Sequence, residues 1–145
     1  PIRNYSKRNL ASLMIHTTCS FFKGFSLLCD GGCITYITPK TFWTTQTKRN
    51  LRDLLLANTL NYVFDTANPF EAVMVDTCIT SAVKNKPAAE NLVRFMDGRK
   101  NLLQPERLTV AQSVYLNTQN SVIFKPSELN MRIYELYGEK SQSSV

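Results

Sequence analysis

Apolar and polar residues recur along the chain with two periods, and each period predicts a different kind of element. Apolar side chains spaced by three and four residues predict three amphipathic helices. The residues that mark these helices are Leu10, Leu13, Met14, Phe21, Phe25 and Leu28; Leu51, Leu54 and Leu55; and Leu129, Ile133, Leu136 and Tyr137. The second helix is expected to begin after Thr44 or Thr45, to keep Arg52 in solvent and to end at Asn58.

Short apolar runs rich in β-branched and aromatic residues predict strands between the helices. Cys33–Thr38 is expected to be a buried strand, preceded by a turn at residues 30–32, because the adjacent glycines there can adopt a positive φ. Leu60–Asp65 and Val75–Val83 are expected to pair as antiparallel neighbours, since the link between them is short. This order of helices and strands predicts an α/β fold with an open sheet.

The pattern is weaker after a polar break at Lys84–Pro87. Leu92–Met96 and Val122–Phe124 predict short strands, whereas Leu108–Tyr115 predicts a strand or a loop. Ser127 is expected to cap the last helix, which is expected to stop at Gly138.

Composition and charge limit the classes of protein that fit. The 145 residues suffice for one domain with a core, and the net charge of +6 suits either an anionic partner such as nucleic acid or a mildly basic surface. The four cysteines and the single histidine match no metal-binding spacing, so no metal site is expected. The sequence carries no evident signal peptide or membrane span, and reduced thiols fit the cytoplasm. Because the chain starts at Pro1, we expect a fragment or a processed product.

Several short motifs within residues 27–83 follow one another in an order typical of a single family. They are Leu27-Leu28 before Gly31-Gly32, Ile37-Thr38-Pro39 with Thr41-Phe42, Leu51-Arg52, Phe70-Glu71-Ala72 and Thr77-Cys78-Ile79. With these motifs the chain resembles the second half of the catalytic domain of a gamma-class adenine-N6 DNA methyltransferase. That class includes the TaqI-like and Eco57I-like enzymes of restriction–modification systems.

The resemblance implies a class I, Rossmann-like methyltransferase sheet that is mostly parallel and has an antiparallel hairpin at one edge. Residues 1–86 would form the second half of that catalytic domain. Residues 87–145 would form a short α+β extension that leads toward a DNA-recognition domain. The implied reaction moves a methyl group from S-adenosylmethionine to the exocyclic amine of an adenine flipped out of double-stranded DNA.

Four residues are candidates for substrate binding. Phe70 matches the family's aromatic residue that packs against the flipped adenine, and such a stack is worth about 1–3 kcal/mol per base. Pro39, Lys40 and Thr41 lie at the C-terminal end of a predicted strand, where open sheets bind their ligands. Lys40 could meet a phosphate there. The alternatives are that Phe70 is a core residue filling the hairpin and that Lys40 is an ordinary surface lysine.

The chain departs from the family at the catalytic loop. The family's Asn-Pro-Pro-Tyr/Phe motif is missing, since Asn68-Pro69 is followed directly by Phe70, and the glycine-rich cofactor turn is missing as well. We therefore expect this chain to contain no catalytic residue, to be inactive alone and to bind no cofactor alone. S-adenosylmethionine is expected only in an intact enzyme.

The expected partners follow from the same resemblance. They are double-stranded DNA and either the remainder of the methyltransferase or a partner chain, with no membrane. Self-association of the isolated chain is also expected, because half of a sheet leaves an unpaired strand edge. One alternative is a non-catalytic α/β interaction module or partner subunit derived from a methyltransferase half. Another is a different class I methyltransferase that acts on protein or RNA.

Overall fold

The computed structural model describes residues 16–69 and 75–137, and the statements below refer to those residues. Among them are four α-helices and five strands, in this order: α1 (described over 16–27), β1 (Cys33–Pro39), α2 (Arg49–Ala57), β2 (Thr59–Ala67), β3 (Thr77–Val83), β4 (Leu92–Asp97), β5 (Glu106–Ala111), α3 (Gln112–Asn117) and α4 (Glu128–Tyr137). Short 3₁₀ helices lie at Lys40–Trp43, Gln46–Lys48 and Gln119–Ser121.

The five strands form one open mixed sheet in the order β1-β3-β2-β4-β5. Strand β3 is antiparallel to both β1 and β2, β4 is parallel to β2, and β5 is antiparallel to β4. The predicted antiparallel pairing of the second and third strands is confirmed. The hairpin they form lies inside this sheet and not at its edge, because β4 pairs with the other side of β2. The architecture is thus mixed α/β and mostly antiparallel.

The predicted glycine turn joins α1 to β1 and also meets the end of β3. Gly31 has a φ of +78°, a conformation that glycine adopts without steric cost. Its N–H donates to the carbonyl oxygen of Lys84, and the N–H of Lys84 donates to the carbonyl oxygen of Gly32, both at 2.8 Å. The turn therefore fixes where β1 starts relative to β3.

One face of the sheet, the core face, is covered by helices. The ring of Phe21 in α1 packs edge-on against Tyr36 of β1, with 4.9 Å between centroids. The buried apolar residues of α2 and of the strands complete this core: Leu51, Leu55, Leu56, Ile34, Leu60, Val63, Val93, Phe95 and Val110. Arg52, which was predicted to stay in solvent, is fully buried beside them.

The other face of the sheet, called here the open face, is far less covered. Successive residues of a strand point to opposite faces, so a strand covered on one side alternates between buried and exposed. Ile34 and Thr38 of β1 are buried, whereas Cys33, Thr35 and Ile37 are exposed. The prediction that Cys33–Thr38 is a buried strand is therefore wrong for the residues of the open face, Cys33 among them.

Some helix boundaries agree with those predicted from the sequence, and others differ from them. Asn58 follows the last residue of α2, as predicted. Neither predicted threonine caps that helix, since Thr45 instead begins a 3₁₀ turn and donates its hydroxyl to the carbonyl oxygen of Thr41. Ser127 does cap α4, because its Oγ accepts a hydrogen bond from the N–H of Asn130.

The segment between β4 and α4 was predicted least well. The range expected as a strand or loop at Leu108–Tyr115 is the end of β5 followed directly by α3. Val122–Phe124 forms no strand; a hydrogen bond from the N–H of Ile123 to the carbonyl oxygen of Trp43 anchors it instead. The predicted apolar side of α4 is solvent-exposed, with Leu129 68% and Leu136 62% accessible.

The sheet continues across residue 87, because β4 pairs with β2. The division of the chain into 1–86 and 87–145 stays a prediction. No helix in the described ranges combines the length and apolar character needed to cross a bilayer.

Candidate functional site at the C-terminal edge of the sheet

Three strands end at one edge of the sheet, called here the C-terminal edge. Strands β1 and β2 both run antiparallel to β3, and β4 runs parallel to β2, so their carboxyl ends lie on the same side. In open α/β sheets this is the edge where ligands bind. The last row of the core face there carries charged side chains, with Asp65 beside Asp97 and Asp97 beside Glu106 in the strand pairing.

An ion-pair network neutralises these carboxylates. Lys40 Nζ lies 2.8 Å from Asp65 Oδ2, and Arg99 Nη2 lies 2.8 Å from Asp97 Oδ2. Lys125 Nζ bridges Asp97 and Glu106, at 2.7 Å from each. The side chains of Asp65 and Asp97 are only 3% and 8% exposed, and two adjacent buried carboxylates would be strongly unfavourable without such partners.

The network shifts the proton affinity of its members. Hydrogen bonds from Arg99 and from Lys125 hold the pKa of Asp97 well below its usual range, although burial acts in the opposite direction. The same hydrogen bonds raise the pKa of Arg99 and that of Lys125. Asp97 is therefore a fixed anion at neutral pH and is poorly suited to general acid catalysis.

A glycine lets the two acidic strands end close together. Gly98 follows Asp97 directly, and its N–H donates to the carbonyl oxygen of Asp65 at 2.8 Å. A Cβ atom at this position would lie 2.8 Å from the ring of Phe64 and 3.1 Å from that carbonyl oxygen. Any larger residue would push the strand ends apart and lengthen the ion pairs across them.

The predicted substrate-binding residues fall partly within this site. Pro39 ends β1 half-buried, Lys40 follows it within the network, and Thr41 is exposed. The ammonium of Lys40 also lies 5.4 Å from the ring centroid of the buried Trp43. Phe70 lies outside the described residues, so its predicted stacking role and its position relative to Lys40 stay predictions.

Lys40 forms ion pairs and is not an ordinary surface lysine. Its ammonium is engaged by Asp65 and lies 3.8 Å from Asp76, so a phosphate would have to compete with two carboxylates or share the ammonium with them. Its predicted phosphate contact stays a prediction. No group of acidic, cysteine and histidine side chains in the described ranges has an arrangement suited to a metal ion.

Sequence reasoning missed most of the network. Asp65, Asp97, Arg99 and Lys125 were not candidates, although a signal was present. Each aspartate directly follows an apolar run, at Leu60–Phe64 and at Leu92–Met96. Asp97 is the last residue of β4, and Asp65 lies two residues before the end of β2. Only the parallel pairing of β2 with β4 brings the two together.

The fold of the chain is similar to that of part of a known protein. No family model matches the chain, and no curated protein matches it. Among solved structures, the chain is similar to the crystal structure of the type IIG restriction endonuclease BpuSI, with 19% sequence identity and a TM-score of 0.55. The match covers 80% of this chain and 16% of that chain. At this level of identity the likeness shows a shared fold, a mixed α/β open sheet.

Proposed function

We propose that the chain is part of the catalytic domain of a DNA adenine-N6 methyltransferase from a restriction–modification system, of the TaqI-like or Eco57I-like type. The observation that carries the proposal is the position of β3, which lies between β1 and β2 and is antiparallel to both. The order of elements along the chain, a strand, a helix and an antiparallel hairpin, agrees with the order that the sequence motifs imply, although the hairpin lies inside the sheet and not at its edge. The structural similarity to a type IIG restriction endonuclease supports the same assignment.

In this proposal the chain contributes to binding the extruded base. Phe70 would stack on the flipped adenine, and the segment from Pro39 to Thr41 would contact the substrate at the C-terminal edge. The ion pair between Lys40 and Asp65 would hold that segment in place, since Lys40 begins the turn that follows β1. The target would be an adenine in double-stranded DNA.

S-adenosylmethionine would supply the methyl group when bound by the remainder of the enzyme. The residues described here do not fit that cofactor. Asp65 and Asp97 are the buried carboxylates at the edge where a ligand would bind, and both are already paired with Lys40, Arg99 and Lys125. No step through the cofactor is therefore assigned to this chain.

A second candidate function is a non-catalytic interaction module or partner subunit. The outer side of β1 pairs with no other described strand, and Ile37 in that strand is 52% exposed. An apolar, unpaired edge strand is a template for another chain. The partner would be the missing part of the methyltransferase or a second copy of this chain.

Cofactor binding and methyl transfer test the first proposal directly. Titration calorimetry of the 145-residue chain with S-adenosylmethionine should give no binding heat. The chain extended upstream through its own reading frame should gain both cofactor binding and transfer of a labelled methyl group to adenine in duplex DNA. Micromolar cofactor binding by the short chain would contradict the proposal. An extended protein that binds no cofactor would favour the interaction module.

The role of Phe70 is tested in the extended protein. Phe70→Ala should reduce 2-aminopurine fluorescence at the target base, by an amount equivalent to about 1–3 kcal/mol of lost stacking. Phe22→Ala is the matched control, because Phe22 is an exposed phenylalanine of α1, 44% accessible. Large destabilisation by Phe70→Ala, with unchanged flipping by the folded fraction, would instead identify a core residue.

A further inference from the structure

The open face of the sheet carries an organised set of side chains that the C-terminal edge does not use. Strand pairing arranges them in two neighbouring rows that cross all five strands. One row is Ile37, Ile79, Phe64, Met96 and Arg107, and the other is Thr35, Ser81, Tyr62, Arg94 and Thr109. Arg94, Arg107 and Thr109 are exposed, while Tyr62 and Phe64 are half-buried.

The charged side chains in the two rows of the open face are all positive. The acidic residues of the strands, Asp65, Asp97 and Glu106, all belong to the core-face row described above. The two rows of the open face contain two arginines and no carboxylate. Within the described residues, neither guanidinium has a carboxylate or hydrogen-bond partner. Two uncompensated cations on an exposed sheet face favour an anionic ligand.

The two arginines are close enough to act on one ligand. Arg94 pairs with Thr109 and Met96 pairs with Arg107, so the arginines are diagonal neighbours on adjacent strands. Diagonal neighbours have Cα atoms about 7–8 Å apart, which is within a Debye length at physiological salt. Their repulsion is relieved when an anion lies between them.

An aromatic ring lies beside the charges. The Arg94 guanidinium carbon is 6.0 Å from the ring centroid of Tyr62, which gives a cation–π contact between a flat cation and a flat ring. Tyr62, Arg94 and Arg107, together with Met96, Leu108 and Thr109, line a cavity of about 450 Å³. Planar bases stack on such tyrosine rings and guanidinium groups, and exposed sheet faces serve as platforms for single strands.

We infer that the open face binds single-stranded nucleic acid. A base stacks on the layer formed by Tyr62 and Arg94, and Arg107 contacts the neighbouring phosphate. A base in a duplex is covered on both sides by its neighbours and could not reach Tyr62, so a duplex would use the arginines alone. An acidic peptide has no base to stack and would also use only the charges.

This inference goes beyond the proposed methyltransferase role and does not depend on it. The surface lies on the open face, and its members share no ion pair with the network of Lys40, Asp65 and Asp97. Binding to the surface requires neither S-adenosylmethionine nor Phe70. Its test can therefore fail while the proposed function stands, and the reverse also holds.

Fluorescence anisotropy with the full 145-residue chain tests the site. The probe is a labelled oligothymidylate of about a dozen nucleotides, within the range of known single-strand sites. Arg107→Gln should reduce the magnitude of the slope of log affinity against log salt by about 0.7, the contribution of one phosphate contact. Arg94→Gln should weaken binding because the stacking layer loses its guanidinium. Tyr62→Leu keeps the apolar volume and should weaken binding about 5- to 150-fold.

Matched controls distinguish a local binding site from general electrostatic attraction. Arg132→Gln removes the same charge from an exposed position on α4 and should change neither the affinity nor the slope beyond error. Duplex DNA of equal length and polyglutamate serve as competitors and should displace the single strand poorly. Thermal melting checks that each variant is folded.

Three results would overturn the inference. If Arg132→Gln weakens binding as much as Arg94→Gln, the attraction is general and not local. If Tyr62→Leu leaves the affinity of the folded protein unchanged, no base stacks on this face. If the duplex or polyglutamate binds as tightly as the single strand, the surface recognises charge alone.

Discussion

Arg52 donates two hydrogen bonds to the main-chain carbonyl oxygen of Asn120, from Nε at 3.1 Å and from Nη2 at 2.9 Å. Its Nη1 also donates to the carbonyl oxygens of Phe42 and Thr45, at 2.6 and 2.7 Å. Burial lowers the pKa of Arg52, yet the guanidinium stays charged at neutral pH because its ordinary pKa is so high. One buried cation thus joins α2 to the segment after β1 and to the segment after α3.

Removal of this cation should destabilise the chain strongly. Arg52→Met keeps much of the apolar stem but leaves three carbonyl acceptors without their donor, at a cost of about 1–3 kcal/mol for each buried acceptor left unpaired. Arg49→Met is the matched control one turn earlier, since Arg49 is 57% exposed and, among the described residues, pairs only with Asp53. It should cost no more than about 0.5 kcal/mol. Equal losses of unfolding free energy in urea would contradict the assigned role.

The left-handed backbone at Asn120 should respond to substitution in a characteristic order. Its φ is +62° and its ψ is 23°, a region that asparagine and glycine tolerate better than other residues. Arg52 contacts the main chain here, so the side chain itself can be replaced. Asn120→Gly should be close to neutral, whereas Asn120→Ala should cost about 1–2 kcal/mol by thermal or urea unfolding. A glycine variant less stable than the alanine variant would show that the side chain matters more than the φ angle.

The ion pair at the C-terminal edge should be a local source of stability. Lys40→Met removes the closest cation from Asp65, which is 3% exposed, and should cost about 1–3 kcal/mol of unfolding free energy. Lys86→Met, at an exposed loop position, should stay within about 0.5 kcal/mol. Asp65→Asn in the Lys40→Met background should recover part of the loss, because it removes a buried charge whose remaining cation, Arg99, is 3.6 Å away. Strictly additive effects of the two substitutions would mean that the pair is not coupled.

The depressed pKa of Asp97 predicts how stability depends on pH. The unfolded chain has an aspartate pKa of about 3.9, above that of the folded chain, so the unfolded state takes up the proton first. Asp97 therefore contributes stability that is present above about pH 5 and is lost as the pH falls below about 4. Asp97→Asn should flatten this loss in urea titrations from about pH 5 to pH 2, and the exposed Asp30→Asn should not. If the unfolding free energy of Asp97→Asn falls with acid as steeply as that of the wild type, the lowered pKa of Asp97 is contradicted.

The four cysteines should react as two groups. Cys19, Cys29 and Cys33 are exposed, whereas Cys78 is buried, and burial raises the pKa of its thiol to about 11. Because the thiolate is the reactive form, Ellman's reagent at about pH 8 should modify three thiols rapidly in the native protein. The fourth should react only on unfolding. Cys78→Ala should abolish only the reaction that requires unfolding. Four rapidly reacting thiols in the wild type would show that β3 is accessible.

The sequence by itself determined most of the elements. The glycine pair at residues 31 and 32 fixed the turn before β1, and the short link after β2 fixed its antiparallel pairing with β3. Ser127 marked the start of α4 correctly. These features are local, because a positive φ, a short connection and a helix cap each depend on a few consecutive residues.

Only the tertiary structure decided which side chains meet. Arg52 fits the polar stripe of a helix by its spacing, but the segment around Asn120 folds over it and buries it. Asp65 and Asp97 lie far apart in sequence, and the parallel pairing of β2 with β4 makes them neighbours. Alternation along β4 puts Arg94 on the open face and Asp97 on the core face. Long-range strand order and the packing of distant segments set these contacts, and no local pattern encodes either.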